Sequence, residues 1–252
     1  MLRGIYTAAA GMLNTQLAVD TMANNVANVN TTGFKARYVQ YQAYPEIQMS
    51  RIDNGGSQEI GKLTTGVEII GTPLHFSQGH LQPTGNALDV AVDGDGFLVV
   101  QLPNGETAYT RNGSLKLNQE NQLTSEGHYK VLDAGGNPIT VPENAGKIVI
   151  GEDGTISTEA GQSFGKLHMV RFSNPKGLHQ LGDSIFKGDN PLDAQVGKGT
   201  SNSFKQGYVE RSNTNIVHEM IQSITGMRLY EGLQRTISTQ KETLDKAVNE
   251  FR

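Results

Sequence analysis

Two stretches of this 252-residue chain bring together residue types that elsewhere bind phosphate, metal or nucleotide. In "GSQEIGKL", Gly56, Gly61 and Lys62 have the spacing of a phosphate loop, in which backbone amides and a lysine cradle a polyphosphate. Leu63 stands where a Ser or Thr hydroxyl must ligate magnesium. No clear buried strand precedes the stretch and no helix follows, so a surface loop is expected. In "DVAVDGDGF", counting from Asp93, the alternating acids stop at Asp95 and Leu98 replaces the loop glycine of a calcium site. Counting from Asp89, the glycine fits at Gly94 but Ala91 and Val100 occupy ligand positions. A turn between strands is the expectation. Gly94 and Gly96 also begin a dinucleotide fingerprint, which Val99 breaks. The six histidines form no HExxH or other short-spaced ligand set, and no serine sits in GxSxG. Glu106, Glu126 and Asp153 fall in expected turns, where solvated charge is the default. The expectation is no catalytic residue, no cofactor, no metal and no small-molecule substrate, with a dispersed site as the remaining enzymatic reading.

The totals narrow the partners. Twenty-one basic against 25 acidic residues give a formal charge of −4, so there is no basic footprint for nucleic acid. The chain has no cysteine, which removes disulfides, thiol nucleophiles and thiolate metal sites. No apolar run approaches membrane-span length. The start, "MLRGIYTAAAGML", mimics a short signal peptide, but Gly4, Tyr6 and Thr7 break its apolar stretch and no cleavage is expected.

The elements that would position any site are unlike one another. From about Gly66 to Val209, short β-branched and aromatic runs alternate with Asp93-Gly94, Asn104-Gly105, Asn112-Gly113 and Asp153-Gly154, pairs that favour tight hairpin turns. This predicts an all-β sandwich or barrel-like domain. Before it, residues 36–65 form a connector with Pro45 and Gly55-Gly56, expected to be extended or irregular.

The two ends are helical. Leu2, Ile5, Ala9, Met12, Gln16, Val19, Ala23 and Val26 alternate steps of three and four, and Gly33 suits the helix end. Near the C-terminus, Ser212, Asn213, Thr214 and Asn215 are N-cap candidates. There Val217, Met220, Ile224 and Met227 form one stripe; Tyr230, Leu233, Ile237, Gln240, Leu244, Ala247 and Phe251 form another. The joint is one residue short of a heptad, which predicts a local seam shift. The fold class is α+β: N- and C-terminal helices paired as a coiled-coil-like layer, with a central all-β domain. The segments are 1–35, 36–65, 66–209 and 210–252.

Asparagine is the oddity of the first helix. Asn24, Asn25, Asn28 and Asn30 crowd one stretch, and Arg3 and Asp20 are the only charges before Lys35. A helix poor in charge all round tends to be enclosed, and one partner helix covers only one face. Neighbouring subunits are therefore expected, with neutral amides such as Asn24 and Asn28 packed where unpaired charge would be costly. The expected assembly interface is Leu2, Ile5, Ala9, Met12, Val19, Ala23, Asn24, Val26, Asn28, Val217, Met220, Ile224, Met227, Tyr230, Leu233, Ile237 and Leu244. The competing reading is an intramolecular coiled coil that only joins the two ends.

"NNVANVNTTGFK" (24–35), "QGHLQPTGNALDVAVDGDGF" (78–97), "AYTRNGSLKLNQENQL" (108–123) and "SNTNIVHEMIQSITGMRLYEGLQRTI" (212–237) together resemble the bacterial flagellar rod and hook proteins. Length and central pattern are most similar to the rod type, proximal or distal; a short hook subunit is the alternative. Asn215 departs from the acidic residue usual at the start of the last helix. The resemblance implies a structural basal-body subunit without catalysis, in the cell envelope. It implies export by the flagellar type III apparatus without a cleaved signal, then helical assembly with itself and other rod and hook proteins. Torque would pass from motor to hook, and peptidoglycan is a further candidate contact. An exported cell-wall-binding β module is the second alternative.

Overall fold

The computed structural model describes residues 2–43, 46–53, 56–63, 66–142, 145–182, 184–197 and 200–250. The side chains of residues 2, 3, 47, 53, 63 and 250 are not included, so the expectations on the Leu2 side chain, Pro45, Gly55 and Phe251 lie outside it. Two compact units result. One comprises Met1–Ala27, Arg37–Pro73 and Asn215–Arg252; the other comprises Asn28–Ala36 and Leu74–Thr214. These boundaries fall elsewhere than the four segments read from the sequence.

The helical unit contains α1 (Leu2–Ala27) and α2 (Ile216–Glu250), packed against each other. The helix stops at Ala27, six residues before Gly33. Asn, Val and Thr are mediocre helix formers. Here Asn28 and Thr31 close a turn instead, with Thr31 N donating to Asn28 O (3.1 Å) and Thr31 Oγ1 to Asn28 Oδ1 (3.1 Å). Asn28 therefore does not share the helix face of Asn24. At the start of α2, Asn215 is the cap: its Oδ1 accepts from Val217 N (3.1 Å) and His218 N (3.2 Å). An amide oxygen fills the role an acid would play. The connector is more regular than expected. Gln40–Ala43 pairs antiparallel with Val67–Gly71, and Ile47–Asp53 with Gly56–Leu63. The would-be phosphate loop is thus the second strand of a hairpin, a geometry with no helix start to receive a phosphate.

The β unit is organised around the strand Phe97–Gln101, which pairs with Thr107–Thr110 on one side and with Met169–Arg171 and Tyr129–Val131 on the other. Its alternate residues face opposite ways. Leu98 and Val100 enter a cluster with Val92, Leu115, Leu123, Ile156 and Phe204. Phe97 and Val99 enter a second cluster with Tyr109, Val170 and Phe186. A strand buried on both faces explains why this segment reads as a continuous apolar run. The outer cluster is tied by edge-to-face rings, Phe97 lying 5.8 Å from Phe186 and 5.6 Å from Phe172.

Two of the four expected hairpin turns form. Asn104-Gly105 joins Phe97–Gln101 to Thr107–Thr110, and Asp153-Gly154 joins Ile148–Ile150 to Thr155–Thr158. The other two do not. Val90–Asp93 pairs with Ser203–Gln206, so Asp93-Gly94 is a crossing between sheets. Gly113 lacks positive φ; its role is close approach, since a Cβ there would lie 1.7 Å from Val90 O. Asp93 itself is held by Lys205 at 2.6 Å and accepts from Gln78. Those hydrogen bonds, Lys205's first, keep its carboxyl below the usual range.

Candidate functional site

The two helices meet along a face that on α1 is built from small residues. On α1, Ala8, Thr15, Ala18 and Asn25 are buried, with Gly4 and Gly11 in the same row. A Cβ at Gly11 would lie 3.1 Å from Leu233 Cδ1, and one at Gly226 would lie 2.8 Å from Val19 Cγ2. Gly4 likewise abuts Gln240. This row precedes the expected one by one residue at each step, a rotation of about 100° round the helix. On α2, the described side chains that are not exposed are Glu219, Ser223, Gly226, Tyr230, Leu233, Ile237, Gln240, Leu244 and Ala247. That is an uninterrupted heptad row. The expected seam shift does not occur, because small Ser223 and Gly226 face inward where the large Ile224 and Met227 were expected.

The sequence-derived residues therefore separate into two groups. Tyr230, Leu233, Ile237 and Leu244 line the inner face of α2, half-buried. Ile5, Ala9, Met12, Val19 and Val26 are half-buried on α1, while Ala23 and Asn24 are exposed. Asn28 is half-buried in its turn. Val217 (63% exposed), Met220 (47%), Ile224 (49%) and Met227 (48%) form an open apolar stripe along the first half of α2, joined by Ile221 (57%). Tyr6 and Leu13 are open on α1. The inner row of Gly, Ala and Thr was missed. Its own three-four spacing was the signal, hidden because pattern reading follows large apolar side chains.

Asn25 answers part of the asparagine question inside the chain. Its Nδ2 donates to Arg37 O (2.8 Å) and its Oδ1 accepts from Arg37 N (3.0 Å). One buried amide thus imitates a strand neighbour and clamps the chain where it re-enters the unit. Arg or Lys could donate here but not accept.

Within the β unit lies a second feature the sequence did not announce. Lys35, Arg111 and Glu210 meet with all three side chains buried. Glu210 Oε1 accepts from Lys35 Nζ (2.6 Å) and Gly79 N (2.7 Å), and its Oε2 lies 3.4 Å from Arg111 Nη1. Lys35 Nζ also donates to Ser77 O (2.8 Å). The Arg111 guanidinium sits 4.8 Å from the Phe97 ring centre, a cation–π contact. Burial, then the nearby Arg111 charge, drive the Lys35 pKa down to about 8, against the opposing pull of Glu210. Backbone geometry makes room for the cluster. Gly33 has φ +67°, and a Cβ there would lie 2.5 Å from Arg111 C. At Gly79, a Cβ would lie 1.9 Å from Arg211 O. The arrangement holds chain segments together; its carboxylate is engaged with two cations and a backbone amide. Among the described residues no group of three or more His, Asp or Glu is placed to hold a metal.

Helices with open apolar faces and a β unit with its own core fit a structural subunit. The comparisons agree. A model described as flagella basal body rod protein matches residues 5–35, one described as flagellar hook protein FlgE/F/G D1 domain matches 91–158, and one described as flagellar basal body rod FlgEFG protein C-terminal matches 205–250. The flagellar basal-body rod protein FlgG of Borreliella burgdorferi is 35% identical over 263 residues, covering 99% of this chain and 98% of that protein. FlgG of Buchnera aphidicola subsp. Schizaphis graminum is 34% identical over 260 residues (98% and 98%), and FlgG of Bacillus subtilis 33% over 265 (99% and 99%). The chain belongs to the flagellar basal-body rod protein family. As such it is a structural subunit of the bacterial basal-body rod, and the rod reading fits better than the hook alternative. Lys35, Arg111 and Glu210 fall one in each of the three matched stretches.

Proposed function

We propose that this subunit polymerises helically through its two helices and that the resulting rod transmits motor torque to the hook without any catalytic step. The observation that carries the proposal is the open stripe Val217, Met220, Ile221, Ile224 and Met227, together with Tyr6 and Leu13. A free monomer gains nothing from a row of large apolar side chains in water, and contiguous exposed patches mark contact surfaces. Head-to-tail contacts that do not close into a ring extend into an open helical array. Packed side chains resist deformation, so interlocked helices supply stiffness without strong individual bonds. The expected neighbours are further copies and other rod and hook proteins. Export by the flagellar apparatus without a cleaved signal, and contact with peptidoglycan, belong to the same reading.

Replacing Met220 and Ile224 together by Asp tests it. Polymer in sedimentation assays and swimming of complemented cells should both be lost, with the β unit's unfolding curve unchanged; normal polymer would count against the stripe. To separate this from an exported glycan-binding module, residues 1–27 should be deleted. That cut spares 28–36, which belongs to the β unit. Loss of polymer is expected, and retained binding to cell-wall glycan would favour the module.

A further inference from the structure

Residues 28–36 do not continue the helix. They cross the β unit as a short strap, held at several points. Gly33 N donates to Glu210 O (2.8 Å), Lys35 Nζ to Glu210 Oε1 (2.6 Å), Ala36 N to Asn213 Oδ1 (2.8 Å), and Arg211 Nη2 to Asn30 Oδ1 (2.5 Å). All four clasps come from the stretch 210–213, near the other end of the chain. Three more come from elsewhere: Lys35 Nζ to Ser77 O (2.8 Å), His75 N to Ala36 O (2.8 Å), and Ser184 Oγ to Thr32 O (3.1 Å).

We infer that the strap 28–36 is a detachable element of the β unit, and that Glu210, seated with residues 211–213, is the latch that holds it closed. Two observations support this. First, the electrostatics are nearly one-sided without Glu210, since Asp95 adds only the weakest of the pulls on Lys35. Lys35 and Arg111 would then be two buried cations in the same place, and enclosing charge without its counter-ion is strongly unfavourable. The depressed Lys35 pKa, caused by burial and then by Arg111, shows the conflict that Glu210 relieves. Second, the strap is not part of the sheet core. Neither apolar cluster includes a residue of 28–36. The strap's clasps are polar, and its buried apolar side chains, Phe34 and Ala36, lie outside both clusters, so it can leave while both clusters stay packed.

This sets an order of closure. Lys35 and Glu210 are 175 residues apart in sequence. Whenever the chain emerges from its N-terminus, the strap appears early and its latch almost last. The sheet between them forms first, and the unit seals when residues 210–213 arrive. The inference does not depend on polymerisation, since every contact lies inside one unit of one chain.

Hydrogen exchange on the full-length protein tests it, comparing a peptide covering 28–36 with one covering 97–110. Glu210→Gln keeps the shape and removes the charge; exchange in 28–36 should rise at least tenfold, while 97–110 stays within twofold of the unaltered protein. Asn213→Ala, which removes the Ala36 clasp together with the bonds from the same amide to His75 O and Ser77 but leaves the Glu210 charge in place, should give a smaller rise in 28–36, again sparing 97–110. If neither variant accelerates 28–36, the latch is wrong. If 97–110 accelerates as much as 28–36, or Glu210→Gln unfolds the whole unit, strap and sheet open together and the inference is overturned.

Discussion

The two units treat their large apolar side chains in opposite ways. In the β unit, Phe97, Leu98, Val99 and Val100 are consecutive and each is at most 4% exposed. In the helical unit, α2 runs for 35 residues and Glu219, an acid, is its one fully buried described residue. The difference comes from how the surfaces meet. A strand inside a sheet can be covered on both faces by elements of its own chain, whereas a lone pair of helices covers one stripe each. The β unit has a closed interior of its own; the helical unit leaves large apolar side chains open. Glycine marks the contrast too. In the β unit it permits backbone to touch backbone, as at Gly113 against Val90 O. In the helices Gly11 and Gly226 admit side chains across the pair, and Gly232 faces open space.

The contrast can be pushed hardest at those glycines. Gly113→Ala puts a Cβ 1.7 Å from Val90 O, whose own amide donates to Gly113 O at 2.9 Å, so neither backbone can yield freely. A loss of about 4 kcal/mol or more, or failure to fold, is expected in urea unfolding followed by tyrosine fluorescence. Gly232→Ala should do the reverse. With no atom within 4 Å, it should strengthen the free helix by roughly 1 kcal/mol, read as helicity by circular dichroism. Equal behaviour of the two alanines would erase the distinction between the units.

A pH experiment tests whether the closed interior carries the charge conflict described above. Lys35 has a folded pKa of about 8 against an ordinary value of 10.5, so between those values the unfolded chain binds the extra proton. Stability of the β unit should therefore rise with pH across that window, by up to about 3 kcal/mol, relative to Lys35→Met, which lacks the titrating group. The difference should be flat below pH 8. A difference that falls with rising pH would mean that the Glu210 pairing outweighs burial. The smallest effect is expected at the surface of the same unit. Lys147 and Glu159 lie 2.8 Å apart but are 71% and 62% exposed, and solvent screens such pairs. Lys147→Met should leave the melting temperature unchanged.

The residue pattern carried much of this architecture. Two helical ends and a β-rich middle were legible because periodicity is a local property. The open stripe on the first half of α2 was legible as a row of large apolar residues, though not as one left open to solvent. What was not legible were features made by distance in sequence. Lys35 sits between Phe34 and Ala36 like any solvated lysine on paper, and nothing nearby points to Glu210. Asn25 reads as a poor helix former until Arg37 is seen to close both of its hydrogen bonds.

By itself the sequence determined which segments are helix and strand, that the helices carry more apolar surface than one pair can hide, and the rod-protein kinship. Tertiary structure alone decided which face of each helix turns inward, because that depends on how closely two backbones approach: small Gly11 receives Leu233 and small Gly226 receives Val19 across the pair. It also decided that 28–36 folds with the β unit rather than with the helix before it. A buried ion cluster exists only where three distant segments converge, and no local pattern encodes that convergence.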